Sequence, residues 1–161
     1  MRTFIRPATE KDAEALTALA MVSKRSNGYD DAFMTACVEE LRVTPAMLEA
    51  HAYWVAEDDR PCGFIGLRVG SGEATGDSAA GEIAALYVHP DRQGRGVGRL
   101  LWTAMEREAR AMGIRSLRLD ADPAAEAFYR RLGLVTTGTA PSGSIPGRML
   151  PHMRIDLSAK G

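Results

Sequence analysis

The chain has 161 residues, 45% of them hydrophobic, enough for one domain that buries roughly 70% of the surface its unfolded form would expose. A formal net charge of −1 with mixed signs excludes the broad electrostatic footprint of a dedicated nucleic-acid or membrane-surface binder and favours a small-molecule or peptide partner. The two cysteines, Cys37 and Cys62, lie in different predicted elements with no second Cys or His at metal-ligand spacing, so both read as buried thiols.

Thr3 to Arg6 reads as a short strand. Arg2, Arg6, Glu10, Lys11 and Asp12 interrupt the N-terminal segment, and no apolar run approaches the roughly 20 residues of a membrane-spanning helix, so a cytoplasmic protein is expected. Thr9 followed by Asp12 resembles a capping box with Asp in place of Glu and opens a helix from Glu10 to about Ser23, whose inner face is Ala13, Leu16, Leu19 and Ala20. The turn Ser26-Asn27-Gly28-Tyr29 leads to a second helical stretch, Asp30 to Arg42, and Thr44-Pro45 supplies an N-cap and first position for another short helix. Strands at Ala52 to Glu57 and Gly63 to Val69 are joined as a hairpin through Asp58-Asp59-Arg60-Pro61, and Gly70 to Gly81, rich in Gly, Ser and Ala, reads as a flexible loop.

From Glu82 the signal strengthens. Ile83 to Val88 is a continuous apolar run ending at His89-Pro90, the pattern of a central strand buried on both faces. After a glycine-rich segment, Val97, Leu100, Leu101, Ala104 and Met105 trace a helical stripe, Arg99, Glu106, Arg107 and Arg110 face water, and Gly113 stops the helix. Ser116 to Asp120 alternates into a strand, Asp122-Pro123 caps a helix with inner face Ala125, Phe128 and Leu132, and Gly133 ends it. Strands Leu134 to Thr139 and Met149 to Leu157 flank the loop Pro141 to Arg148. The order is mixed α/β in a single domain over 1–161, without an internal repeat.

Gln93-Gly94-Arg95-Gly96-Val97-Gly98 sits between the buried strand and the strong helix, where unpaired N–H groups and the helix dipole face any bound anion. Arg92, Arg95 and Arg99 flank it. A Rossmann dinucleotide site, suggested by Asp120 about 20 residues on, would need Gly or Ala where Arg99 stands; a Walker loop would need Gly-Lys-Ser/Thr. His51, His89 and His152 are scattered, and no metal-ligand or Gly-x-Ser-x-Gly spacing occurs, so metal and triad chemistry are not expected.

Gln93-x-x-Gly96-x-Gly98 after Leu86-Tyr87-Val88 resembles the acyl-CoA loop of the GNAT superfamily of N-acetyltransferases. Ala125, Phe128-Tyr129 and Gly133-Leu134 are similar to the family's Ala-x-x-hydrophobic-Tyr-x-x-x-Gly-hydrophobic signature, and the element order matches over nearly the whole chain. The resemblance implies a central mixed, mostly antiparallel sheet flanked by helices, with acetyl-CoA as co-substrate and an amine as acceptor. It implies that the pyrophosphate meets the backbone of Gln93, Gly94, Arg95, Gly96, Val97 and Gly98, with Arg99 beside it. The pantetheine arm then runs along Leu86, Tyr87 and Val88, extended peptide-like atoms pairing with an exposed strand edge. Many members carry Asn seven positions before the tyrosine, contacting pantetheine; here that position is Asp122, which also reads simply as the N-cap before Pro123.

Acyl transfer to an amine needs a neutral nucleophile, donors for the carbonyl oxygen and a proton donor for the departing thiolate. The resemblance gives the last role to Tyr129, which periodicity alone would make a neighbour of the apolar stripe. Glu82 resembles the general base of some histone-type members, and its plain alternative is a surface glutamate at a strand end. Acceptor selection is expected in Asn27 to Asp31 and Pro141 to Arg148, with Tyr29, Asp30, Asp31 and Arg148 as candidates. The terminal strand offers an edge for a homodimer. The alternative function is a non-catalytic acyl-CoA sensor or interaction module.

Overall fold

The computed structural model describes residues 2–69 and 80–157. Seven strands form one sheet in the order β1-β2-β3-β4-β5-β7-β6: β1 Phe4–Pro7, β2 Ala52–Glu57, β3 Pro61–Val69, β4 Ala80–Val88, β5 Ser116–Asp120, β6 Val135–Pro141 and β7 Met149–Asp156. Every neighbouring pair is antiparallel except β4 with β5. The helices are α1 Ala13–Arg25, α2 Asp31–Leu41, α3 Pro45–Ala50, α4 Val97–Ala111 and α5 Glu126–Arg131. The mixed sheet flanked by helices matches the expected fold. Among the described residues no helix is long and apolar enough to cross a membrane.

Alternation along β3 divides the core. Ile65 and Leu67 pack with Leu101, Met105 and Ala109 of α4, whereas Phe64 packs on the opposite face with Leu16, Leu19 and Ala20 of α1 and Met34 and Cys37 of α2. Both cysteines are buried and free. The Asp12 carboxylate accepts the Thr9 N–H at 2.7 Å, but its turn is 3₁₀ over Glu10–Asp12, and α1 proper begins at Ala13. Asp12 also takes both terminal nitrogens of Arg6, at 3.0 and 2.9 Å, tying this turn to β1.

Several expectations shift by a residue or a face. On α4 the buried stripe is Val97, Leu101, Trp102, Met105 and Ala109, while Leu100 is 45% exposed. Trp102 can be buried because its indole N–H donates to Glu106 at 3.1 Å, which draws Glu106 and its partner Arg110 partly out of water. Ala80 and Gly81 belong to β4, not to the preceding loop; residues 70–79 of that loop lie outside the described residues. The last strand does not form a sheet edge. β7 is paired on both sides, by β5 and β6, so the edges are β1 and β6, and β7 has no free ladder to offer a second copy.

Candidate active site

The parallel pair at the centre of the sheet is short. β4 meets β5 only through Ala80 with Ser116, Gly81 with Leu117 and Glu82 with Arg118; beyond Glu82 the strands diverge, leaving the β5-facing edge of Ile83 to Val88 without a strand partner. On its other side β4 carries a bulge: Gly66 faces Ala85 and Leu67 faces Ile83, so Ala84 is the extra residue. A cleft of about 660 Å³ occupies this opening, lined by Ala84 to Val88, by the glycine loop, and by Leu119 to Asp122 with Phe128 and Tyr129 across from it. The cleft is why Ile83 alone is buried in the run Ile83 to Val88, and why the expected burial on both faces fails from Ala84 onward.

The glycine loop forms the end of the cleft at the α4 N-terminus. Arg92 donates to Asp58 in the β2–β3 turn at 2.7 Å, an ion pair that holds the Asp58 carboxyl well below the usual range. The Gln93 side chain donates to the Val88 carbonyl at 3.1 Å. Between these anchors and α4, Gly94 and Gly96 take φ of +78° and +82°, a left-handed conformation that disfavours side chains, with no atom within 4 Å of a would-be Cβ. Gly98 is glycine for a different reason, since a Cβ there would stand 3.0 Å from the Phe128 ring. The first helical bond runs from Leu100 N–H to the Gly96 carbonyl, and none of the N–H groups from Gly94 to Arg99 has an acceptor among the described residues. Arg99 lines the cleft; Arg95 is exposed away from its wall.

Opposite the loop, Tyr129 is the buried residue of α5, while Ala125, Phe128 and Leu132, expected as its inner face, are half-buried, with Ala125 and Phe128 lining the cleft. Its ring meets Phe128 and Trp102 edge-on at 5.3 and 6.3 Å. Its hydroxyl makes no hydrogen bond among the described residues. Burial, then the nearby Asp122 charge, push the phenol's pKa well above its ordinary value, so it stays protonated.

Asp122 is the N-cap expected of it, accepting the Ala124 N–H at 2.9 Å, and is also the hub of a polar cluster. Lys24, from the last turn of α1, donates to it at 2.7 Å, and the Tyr29 hydroxyl donates to both carboxylate oxygens at 3.0 Å. Arg148 donates to Tyr29 at 2.6 Å and approaches Asp122 at 3.7 Å. Phe33 stacks on Tyr29 with centroids 3.9 Å apart, and both cations lie over this ring pair, Arg148 at 4.9 to 5.1 Å and Lys24 at 5.4 to 6.0 Å. Burial opposes the charge on Asp122, but the hydrogen bonds from Lys24 and Ala124 outweigh it and hold the carboxyl below its ordinary pKa.

Tyr29 and Arg148 are thus brought together on Asp122; Asp122 and Lys24 line the cleft, whereas Tyr29 and Arg148 do not. Asp30 and Asp31 do not join this cluster: Asp30 caps α2 by accepting the Phe33 N–H at 2.8 Å, and Asp31 pairs with Arg25 in solvent. Glu82 sits on the last paired rung of β4, bound to Arg68 at 3.0 Å, and does not line the cleft, whereas Glu40 of α2 does. Lys24 and Phe33 were absent from the sequence-derived candidates. The turn composition near Tyr29 marked the region, but Lys24 lies on a helix that reads as simple packing. Among the described residues no three His, Cys, Asp or Glu side chains converge on a metal position.

The fold has relatives. Over 69 residues the chain is 35% identical to the uncharacterized N-acetyltransferase ycf52 of Gracilaria tenuistipitata var. liui, a match that covers 42% of this chain and 38% of that relative. A GCN5-related N-acetyltransferase from Rhodopseudomonas palustris superposes with a TM-score of 0.78 at 26% identity, over 98% of this chain and 97% of the other. PaiA N-acetyltransferase from Thermoplasma acidophilum, in complex with coenzyme A, gives 0.77 at 19% identity over 97% and 99% of the two chains. YncA from Salmonella typhimurium, with acetyl-CoA, gives 0.70 at 23% identity over 98% and 95%. Residues 15–134 match the model of the acetyltransferase (GNAT) family, and the chain belongs to that family.

Proposed function

We propose that the protein is an acetyl-CoA-dependent N-acetyltransferase that transfers an acetyl group directly to a primary amine of a small molecule or protein. The observation that carries this reading is the run of unpaired N–H groups from Gly94 to Arg99, opening into the same cleft as the free edge of β4 and the Tyr129 hydroxyl. Phosphate oxygens suit such a row of donors at a helix N-terminus, and Arg99 adds charge beside it. The β4 edge from Leu86 to Val88 offers backbone donors and acceptors to an extended, amide-bearing arm.

Acetyl-CoA supplies an activated acetyl group. At the cleft's centre the backbone at the β4 bulge presents donors where negative charge develops on the carbonyl oxygen. The amine nitrogen forms the new C–N bond, the C–S bond breaks with its electron pair on sulfur, and the proton lost by nitrogen passes to water. Tyr129 donates a hydrogen bond to the sulfur. Its raised pKa lies above the roughly 8.5 of a thiol, so it shares its proton with the leaving thiolate and keeps it. A Lys-like amine has a pKa near 10.4 and must lose a proton before attack. Glu40, on the cleft wall, is better placed than Glu82 to receive that proton through water.

The second reading, an acyl-CoA sensor without turnover, is favoured by one observation: Asp122 is engaged by Lys24, Tyr29 and Ala124 and is not free to hold pantetheine as the family's Asn does. Thiol release across a panel of primary amines, with acetyl-CoA binding measured by calorimetry, separates the two. Transfer supports the enzyme, binding without transfer to any amine supports the sensor, and absence of binding overturns both.

A further inference from the structure

The sheet face beneath α1 and α2 holds a feature that acyl-CoA binding leaves unexplained. Tyr53 of β2 stands opposite Gly66 of β3, which stands opposite Ala85 of β4, so the three share one face. The Tyr53 ring lies across Gly66, where any Cβ would overlap it. Adjacent strands lie about 4.8 Å apart. A ring that starts on β2 and lies over Gly66 therefore carries its hydroxyl past β3 toward β4, on the face that Ala85 shares, and Tyr53 and Ala84 to Val88 line the same cleft. Phe64, stacked on Tyr53 at 6.3 Å, holds the ring in place.

Tyr53 is 4% exposed and lines the cleft, yet its hydroxyl is the one buried side-chain oxygen or nitrogen among the described residues with no hydrogen-bond partner. The side chains clustered with it, Leu41, Val43 and Met47 among them, are apolar. Arg68, close enough to act on it electrostatically, is engaged by Glu82. A buried hydroxyl without a partner is destabilising, and phenylalanine would fill the same space without that loss.

We propose that Tyr53 is an acceptor-binding residue whose hydroxyl oxygen accepts an N–H of the primary amine beside the β4 bulge. The assignment rests on the N-acetyltransferase reading above. A neutral primary amine has two N–H groups and one lone pair. The lone pair must face the acyl carbon, so the N–H groups need acceptors, and the Tyr53 oxygen supplies one. Its own O–H donates in turn to a polar substituent of the amine. Burial raises the Tyr53 pKa, so the group works as a neutral hydrogen-bonder and not as a base.

The test compares the wild-type protein with Tyr53→Phe in three measurements: urea unfolding, acetyl-CoA binding by calorimetry, and CoA release with whichever primary amine of the panel the wild type accepts. The expected result is an unfolding midpoint at or above wild type and acetyl-CoA affinity within about twofold, with kcat/KM for the amine lowered about tenfold or more. Equal transfer by the two proteins overturns this inference alone. A lower midpoint for Tyr53→Phe also overturns it, because the hydroxyl would then have a partner within the fold. No transfer by the wild type overturns the proposed function and this inference with it.

Discussion

Replacing Asp122 by asparagine keeps the side chain's size and leaves an oxygen to accept the Ala124 N–H, but removes the charge and turns the oxygen that accepts from Lys24 into an NH2 donor. What is lost is the counter-charge for Lys24 and Arg148. The Lys24 and Asp122 side chains are 11% and 13% exposed, so the pair lies between the surface case, worth about 0–1 kcal/mol, and the fully buried case, where removing one partner costs about 3–5 kcal/mol. Tyr29 and Phe33 faces compensate the abandoned cations by about 1 kcal/mol. The expected destabilisation at pH 7 is about 2–3 kcal/mol. Its pH dependence follows from the direction of the shift. The Asp122 pKa is lowered in the folded state, so its contribution is complete above the unfolded value and is lost as pH falls through the folded one. Urea unfolding of both proteins should therefore show a constant difference above about pH 5 that shrinks on further acidification, below the ordinary carboxylate pKa of about 3.9. Asp12 and Asp58 are also lowered and titrate alike in both proteins, so they cancel in the difference. A difference under about 0.5 kcal/mol at pH 7 would refute the view of Asp122 as an electrostatic hub.

Gly96→Val should abolish measurable acetyl-CoA binding by calorimetry while the protein stays folded, because φ of +82° is strained for a β-branched residue and its methyls would enter the open space before the phosphate donors. Unchanged affinity would remove the loop from the binding site. Tyr129→Phe should leave acetyl-CoA affinity within about twofold and lower kcat by about 10²-fold, the loss typical of removing one hydrogen-bond donor from developing charge; equal rates would make Tyr129 a packing residue only. Glu82→Gln should keep at least about half of wild-type kcat/KM, whereas Glu40→Gln should lower it by about tenfold. The opposite ranking in the same thiol-release assay would restore Glu82 as the base.

How far the site could be read in advance tracks the sequence distance over which it is assembled. The glycine loop is local: a strand, two positive-φ glycines and a helix start lie within adjacent residues, and each leaves its mark in the sequence. Thr44 and Asp122 are helix or turn caps recognisable for the same reason, each satisfying an N–H two or three residues away, whereas Asp30, expected inside the helix and at the acceptor site, is the cap of α2. The second function of Asp122 was not recognisable, because Lys24 and Tyr29 lie 98 and 93 residues away in sequence. Hydrophobic spacing placed Phe128 inside and Tyr129 at the margin, but α5 borders an open cleft, so its half-buried face is the apolar one and its buried residue carries a hydroxyl. Strand order was equally non-local. β7 follows β6 in sequence yet inserts between β5 and β6, which turns an apparent terminal edge into an interior strand.

Under the proposed function the two ends of the cleft would differ in what recognises the ligand. At the loop, recognition rests on backbone N–H groups, which every residue but proline carries, so substitution is limited mainly by φ at Gly94 and Gly96 and by the contact of Gly98 with Phe128. At the proposed acceptor end, recognition would rest on side chains brought from α1, the α1–α2 turn, α2, β2 and the loop after β6. Exchanging Lys24, Tyr29 or Arg148 can therefore alter which amine is received without disturbing the phosphate grip. Asp122 is the exception. It begins the turn into α5, caps it, and adds to the rise in the Tyr129 pKa that burial causes, so a change in its partners Lys24 and Tyr29 also reaches the surroundings of Tyr129. Variants at Lys24 should therefore change kcat as well as KM for the amine. Variants at Asp30 or Asp31, which make no contact with Asp122, should move neither.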